Sequence, residues 1–217
     1  MSGKPQISAL QRVLVAAAGG ARERAERLFA LDNECAHIAR VATEPMMAQI
    51  RLAWWRDGIM AQTLPAEHRS QDMEALRALD GFADMRAHLV VMIDGWEELI
   101  LFDGADVDTM LETYAKGRGE GLFAAFLQTG DDGRAAAGRL WALWDLAGHL
   151  SDEGLAAKAV AQAADLAGGI TDSRAYPRML AMMASAARRD ALRGQGAPAD
   201  LTPALYLHLL RMQFFGR

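Results

Sequence analysis

The chain has 217 residues, a formal net charge of −5 and 52% hydrophobic residues, but only 7% aromatic residues. Alanine and leucine supply much of the apolar content, which favours helices over sheets. The negative charge and the lack of a Lys/Arg stripe argue against nucleic acid binding. No apolar run reaches the ~18 residues of a membrane span. With no signal-peptide pattern and a single cysteine, Cys35, the cytoplasm is the expected compartment.

The spacing of apolar residues predicts helices along the whole chain. In chain order they are expected at residues 6–18, 21–42, 45–63, 70–79, 82–102, 106–128, 134–150, 151–168, 172–193 and from 202 onward. Residues that commonly cap helices mark several of these starts, namely Ser70, Asp106 or Asp108, Asp152, the pair Asp172 and Ser173, and Thr202. Because no strand pattern or long linker interrupts them, residues 1–217 are expected to form one all-α domain.

Residues 30–58 combine two apolar stripes with a dense set of polar residues. The first stripe consists of Leu28, Leu31, Cys35, Ile38 and Ala42, and the second of Met46, Met47, Ile50, Ala53, Trp54 and Ala61. The polar residues beside them are Asn33, Glu34, His37, Arg51, Trp55 and Asp57. Because buried unpaired polar groups are costly, we expect one hydrogen-bonded network here, with Glu34 and Arg51 as a buried pair.

The same segment reads Asn-x-Glu, then Glu-Pro, then Ile-Arg-Leu-x-Trp-Trp-Arg-Asp, and Tyr114-Ala115 continues the pattern. This pattern resembles the squalene/phytoene synthase family, whose all-α members condense two prenyl diphosphates head to head. The resemblance implies the isoprenoid synthase fold, with about eight or nine helices and a shortened C-terminal end. It also implies a set of ligand-binding residues: Asn33, Glu34, His37, Arg40, Arg51, Trp55, Tyr114 and Arg118.

In the resembled enzymes two Asp-rich motifs hold Mg²⁺, which neutralises the diphosphate leaving group. The first motif would fall where this chain has Ala36, His37 and Arg40. The second would fall near residues 148–153, where Asp152 and Glu153 are adjacent. Adjacent residues on a helix point about 100° apart and cannot clamp one ion as an i, i+4 pair would. Both motifs are therefore expected to be lost, and no metal or other cofactor is expected.

Other carboxylates leave an alternative open. Asp94 and Glu98, and likewise Asp108 and Glu112, form i, i+4 acid pairs that would serve as relocated Mg²⁺ ligands, and Asp80 and Asp84 have the same spacing across a glycine. Carboxylates are also common near helix starts for capping, which is the simpler interpretation of Asp108.

Two further features have alternative interpretations. The stretch from Lys116 to Gly121 contains three glycines, which suit either a phosphate loop or the close approach of two helices. Twelve methionines, among them Met46 and Met47, are expected to fill the core; the alternative is a deformable cavity or a partner groove.

The loss of both motifs predicts a family member that no longer condenses prenyl diphosphates and instead binds a protein partner or an isoprenoid-like lipid. The resembled family includes a branch without Asp motifs, one member of which is a mitochondrial complex I assembly factor. Arg40, Arg51 and Arg118 would allow weak Mg²⁺-independent diphosphate binding without turnover. The alternatives are an active prenyltransferase with relocated carboxylates and a purely structural helical subunit.

Overall fold

Helices joined by short connections make up the protein in a computed structural model that describes residues 7–42, 44–129, 132–170 and 176–215. The helices are α1 (Ala9–Ala17), α2 (Arg22–Val41), α3 (Pro45–Met60), α4 (Gln71–Arg77), α5 (Phe82–Leu101), α6 (Val107–Tyr114), α7 (Gly121–Leu127), α8 (Asp132–Ala147), α9 (Glu153–Gly169), α10 (Arg178–Ala191) and α11 (Pro203–Phe215). A π-helical segment, Ala115–Glu120, joins α6 to α7 as one continuous rod. No strand occurs within these residues, so the prediction of a single all-α domain is confirmed.

Side-chain caps mark the starts of α4, α6, α9 and α11. Side-chain oxygens of Ser70, Asp106, Asp152 and Thr202 accept the backbone N–H three residues later, at 3.1, 3.1, 2.9 and 3.2 Å. These four caps were predicted, and each satisfies a donor that the first helical turn leaves unpaired. The predicted caps Asp172 and Ser173 lie outside the described residues, and α10 begins at Arg178.

Long-range hydrogen bonds define the relative directions of neighbouring helices. Arg24 of α2 donates to the carbonyl of Phe126 at 3.0 Å, while Asp32 farther along α2 contacts Arg118, so α2 is antiparallel to the rod containing α6 and α7. Gln49 of α3 donates to Glu97 of α5 at 3.1 Å. Arg86 of α5 contacts the carbonyl of Met60, at the other end of α3. Helices α3 and α5 are therefore antiparallel, and the start of α3 lies beside the end of α5.

The core contains most of the predicted apolar residues, but the inward-facing stripe predicted for α3 is wrong. Cys35 is fully buried as predicted, and burial raises the pKa of its thiol well above the usual value. Met46, Met47 and Ile50, predicted to point inward, are 68%, 53% and 56% exposed. Helix α3 is apolar on both sides, and the side that packs inward carries Ala48, Leu52, Trp55 and Ile59. Within the described ranges, no helix is both long enough and apolar enough to cross a membrane.

Candidate functional site

Glycines allow helices α5 and α8 to approach the π-helical segment closely at the middle of the bundle. Gly117 in the π-helical segment lies against Gly95 of α5, and Gly119 lies against Gly138 of α8. A Cβ on Gly95 would lie 2.8 Å from the carbonyl carbon of Gly117, closer than real Cβ contacts. The helix-packing interpretation of the glycine-rich stretch is confirmed. The phosphate-loop interpretation is wrong, because these glycines pack against the backbone of other helices.

At this crossing, the buried side chain of Arg118 makes four hydrogen bonds. Its Nε donates to Asp32 Oδ1 at 2.9 Å and its Nη2 to Asp32 Oδ2 at 2.7 Å. The same Nη2 donates to Asp145 Oδ2 at 2.7 Å, and Nη1 donates to the Tyr114 hydroxyl at 2.7 Å. A bidentate arginine–carboxylate pair is among the strongest polar contacts in proteins. The guanidinium thus ties α2 and α8 to the rod on which Arg118 and Tyr114 lie.

Two indole rings enclose the guanidinium. Its central carbon lies 4.5 Å from the ring centroid of Trp96 and 4.5 Å from that of Trp141, a distance at which cation–π attraction is favourable. Trp96 Nε1 also donates to Asp32 Oδ1 at 2.8 Å, which adds α5 to the assembly. We call these six residues the Arg118 cluster: Asp32, Trp96, Tyr114, Arg118, Trp141 and Asp145.

Burial and neighbouring charges shift the pKa values of the ionisable residues in the Arg118 cluster, and for Arg118 they act in opposite directions. Burial alone would lower the pKa of Arg118, but attraction by Asp32 and Asp145 outweighs it and raises that pKa above its ordinary value. Burial raises the pKa of Tyr114 well above its ordinary value, so its hydroxyl stays protonated. Asp32 is completely buried, whereas the Asp145 side chain is 21% exposed and is the member that reaches the surface. The cluster therefore keeps its charges in fixed contacts.

The geometry suits structure better than catalysis. Arg118 touches both carboxylates directly and lies between two indoles, so no diphosphate fits between these groups. A buried, fully paired arginine of this kind holds helices in one arrangement.

The positions that the family resemblance assigns to its Mg²⁺ motifs, and two acids of the relocated pairs, have other roles in the structure or offer no ligand atom. Ala36 and Arg40 offer no ligand, and Asp152 is engaged as the cap of α9. Asp94 forms an ion pair with Arg56 at 2.7 Å, and Asp108 lies 3.7 Å from Lys158. Across the part of the chain that the structure describes, no group of three or more His, Cys, Asp or Glu side chains is placed to hold a metal.

The eight sequence-predicted site residues do not form one site. Tyr114 and Arg118 meet inside the Arg118 cluster, and Glu34 pairs with Arg51 at 3.1 Å on the surface. Asn33 exchanges two hydrogen bonds with Gln11 of α1, at 2.8 and 2.9 Å.

The other predicted network residues, and the ligand-binding candidate Arg40, lie apart. Trp55 is buried and packs edge-on against Trp54, with ring centroids 5.2 Å apart. His37 is half-buried, while Arg40 and Asp57 are exposed. The single polar network expected between α2 and α3 is therefore wrong, because its members point in different directions around their helices.

The Glu34–Arg51 pair forms as predicted but is not buried, since the two side chains are 24% and 44% exposed. We expect Glu34→Gln to lower the free energy of unfolding by less than about 1 kcal/mol, because water and salt screen an exposed pair. Asp32→Asn is the matched carboxylate-to-amide control and should cost at least about 2 kcal/mol, because Asp32 is buried beside Arg118. Urea unfolding of both variants measures the difference, and equal losses would contradict this assignment.

Sequence reasoning missed Asp32, Asp145, Trp96 and Trp141 as partners of Arg118. The available signal was Asp32, which lies on the apolar stripe between Leu28 and Cys35 and so had to be buried. Trp141 and Asp145 similarly share one side of α8 at i, i+4. A buried carboxylate requires a cation, and that requirement points to an arginine elsewhere in the core.

The chain matches no protein-family model, no curated protein and no solved structure. The resemblance to squalene/phytoene synthases thus depends on the short patterns quoted above.

Proposed function

We propose that this protein is a squalene/phytoene synthase-like protein that has lost prenyl-diphosphate condensation and acts by binding a protein partner. The observation that carries the proposal is the pairing of both central carboxylates, Asp32 and Asp145, with Arg118. Both oxygens of Asp32 and Oδ2 of Asp145 already accept hydrogen bonds from Arg118, so Mg²⁺ would have to displace a buried guanidinium to use them.

Condensation needs cation chemistry that these residues do not supply. Ionising a prenyl diphosphate leaves a highly charged group in an apolar pocket, where charges are poorly screened. Arginines would have to replace the metal, but Arg118 is enclosed by its own cluster and Arg51 is paired with Glu34. Arg40 is exposed, and Arg51 is exposed but already paired with Glu34. Turnover and tight diphosphate binding are therefore both disfavoured.

Binding of a protein partner fits the surface better than binding of a lipid in the centre. Large side chains, including Phe29, Tyr114, Phe123 and Trp144, are fully buried in the core. Large apolar side chains on α3 and α11 are instead exposed. Exposed apolar residues grouped on one face mark an interaction surface more often than a catalytic one.

The test is incubation of the purified protein with farnesyl diphosphate, Mg²⁺ and NADPH, with a heat-killed sample as control. We expect no squalene, phytoene or cyclopropyl intermediate above the control. Calorimetry with farnesyl diphosphate, with and without Mg²⁺, is expected to show no saturable binding. Product formation would instead support the active prenyltransferase, and saturable Mg²⁺-independent binding would support a lipid carrier.

A further inference from the structure

Helix α3 is apolar on two opposite sides, and neighbouring helices cover only one of them. The covered side consists of Ala48, Leu52, Trp55 and Ile59. The uncovered side, which we call the outer face of α3, consists of Met46, Met47, Ile50 and Met60, which are 68%, 53%, 56% and 49% exposed. Met46, Ile50 and Met60 follow the i, i+4, i+14 spacing of one helical stripe, which the exposed Asp57 at i+11 interrupts. An amphipathic helix exposes its polar side, so this arrangement leaves an apolar side without a partner.

Two neighbouring helix ends also expose apolar side chains. Val41, at the end of α2, is 45% exposed, and Leu101, at the end of α5, is 51% exposed. The Gln49–Glu97 hydrogen bond places the end of α5 beside the start of α3, so Leu101 lies at the same end of the bundle as Met46. Three of the four outer-face residues are methionines, whose flexible side chains adapt to an apolar partner.

Carboxylates predominate around this surface. On the nearby parts of α2 and α5, and on α3 with its cap, they include Glu34, Glu44, Asp57, Asp94, Glu97 and Glu98. The nearby cations are Arg40, Arg51 and Arg56 and, at the Met60 end, Arg77 and Arg86, which donate to the carbonyls of Gly58 and Met60. Arg51 and Arg56 are already paired with carboxylates. Arg51 binds Glu34, and Arg56 binds both Asp94 and Glu97. The surroundings of the outer face therefore carry net negative charge, as does the whole chain at −5.

This charge distinguishes between the candidate occupants. An anionic membrane would be repelled by the carboxylates, and a second copy would bring the same carboxylates against them. A helix with one apolar side and flanking lysines or arginines matches the surface in both hydrophobicity and charge. Packing such a helix along an exposed helix face is a common mode of protein recognition.

We propose that the outer face of α3 is the docking site for an amphipathic helix of a partner protein, with basic residues flanking its apolar side. The proposal rests on the proposed function of partner binding, and it adds the surface and the chemistry of the partner. Apolar contact with the methionines and Ile50 supplies affinity, while the surrounding carboxylates orient the basic flanks.

The probe is a fluorescein-labelled 18-residue peptide with leucines on one helical side and lysines on the others. We expect saturable binding to the full chain by fluorescence anisotropy, weakened by added salt. The double variant Met46→Lys, Ile50→Lys should bind at least about tenfold more weakly, because it removes apolar contact and adds like charge. Both substituted residues are exposed, so the variant is expected to keep the wild-type melting temperature.

The matched control is Leu207→Lys on α11, where Leu207 is 59% exposed on a different part of the molecule. It should bind the peptide as the wild type does, and an isomeric peptide with leucines and lysines scrambled should bind weakly to all three proteins. Absence of peptide binding, or equal binding by the double variant, would overturn the proposal. So would loss of dimerisation in sedimentation, or loss of binding to phosphatidylserine vesicles, caused by the double variant alone.

These outcomes are separable from failure of the proposed function. If farnesyl diphosphate is converted to product, the proposed function fails whatever the peptide does. If no product forms and the peptide binds without dependence on Met46 and Ile50, only the docking site fails.

Discussion

Arg118→Met is expected to lower the free energy of unfolding by about 3–5 kcal/mol, the largest loss among the charge substitutions considered for this protein. The substitution keeps an unbranched side chain of similar length but leaves Asp32, which is completely buried, without its cation. It also removes the cation held 4.5 Å from the rings of Trp96 and Trp141. Urea unfolding followed by tryptophan fluorescence measures the loss.

Arg51→Met is the matched control, because it makes the same chemical change in an exposed ion pair. We expect it to cost less than about 1 kcal/mol. The double variant Asp32→Asn, Arg118→Met should lose less than the sum of its single variants, because the second change removes the charge that the first left unpaired. Equal losses for Arg118→Met and Arg51→Met would show that the Arg118 cluster does not hold the bundle together.

A milder variant keeps the prediction measurable if Arg118→Met does not fold. Tyr114→Phe removes only the hydroxyl that accepts from Arg118 Nη1 at 2.7 Å, and should cost about 1–3 kcal/mol. A free energy of unfolding equal to that of the wild type would indicate that this hydrogen bond contributes nothing.

Gly119→Ala is expected to cost about 3 kcal/mol or more, because the new methyl group would meet backbone rather than a movable side chain. The added Cβ would lie 2.7 Å from the backbone nitrogen of Arg139 and would also clash with the carbonyl of Gly138. Relief requires α8 to move away from the π-helical segment. That movement would also separate Asp145 on α8 from Arg118, so packing and charge pairing are expected to fail together.

Gly168→Ala is the control, since a Cβ at Gly168 near the end of α9 meets nothing within 4 Å. Alanine favours helix over glycine, so this variant should gain up to about 0.5 kcal/mol. Thermal unfolding of both variants is the measurement. A Gly119→Ala variant with the same thermal unfolding transition as the wild type would mean that α8 and the π-helical segment do not need glycine at this contact.

The stability variants and the binding variants test different parts of the molecule. The Arg118 cluster and the glycine contacts stabilise the centre of the bundle, whereas the outer face of α3 exposes apolar side chains to solvent. A rigid centre with an uncovered apolar face suits a protein that presents a helix to a partner. Substitutions at the centre should therefore change stability, and substitutions at the outer face should change binding alone.

Much of the fold followed from local sequence. Helix positions, the caps at Ser70, Asp106, Asp152 and Thr202, and the burial of Cys35 agree with the structure, because capping and periodicity involve residues within a few positions of one another. The glycine-rich stretch was also interpretable as a close crossing of helices. Its π-helical geometry and its partners, Gly95 and Gly138, were not predictable from the sequence.

The candidate site was only partly predictable. Tyr114 and Arg118 were named, but the partners that define their role were not, and the expected network around Glu34 proved to be a surface pair. Asp32 and Arg118 are 86 positions apart, and no local pattern relates two residues at that separation. The burial of Asp32 was visible as a carboxylate on an apolar stripe, but its cation was not identifiable.

The sequence by itself determined that this chain is helical, where its helices begin, and which of their sides are apolar. The tertiary structure decided which apolar side of α3 is covered and which carboxylate shares the core with Arg118. The physical reason is the same in both cases. Periodicity describes the sides of a helix relative to its own axis, whereas burial and charge pairing depend on which distant helix packs against each side.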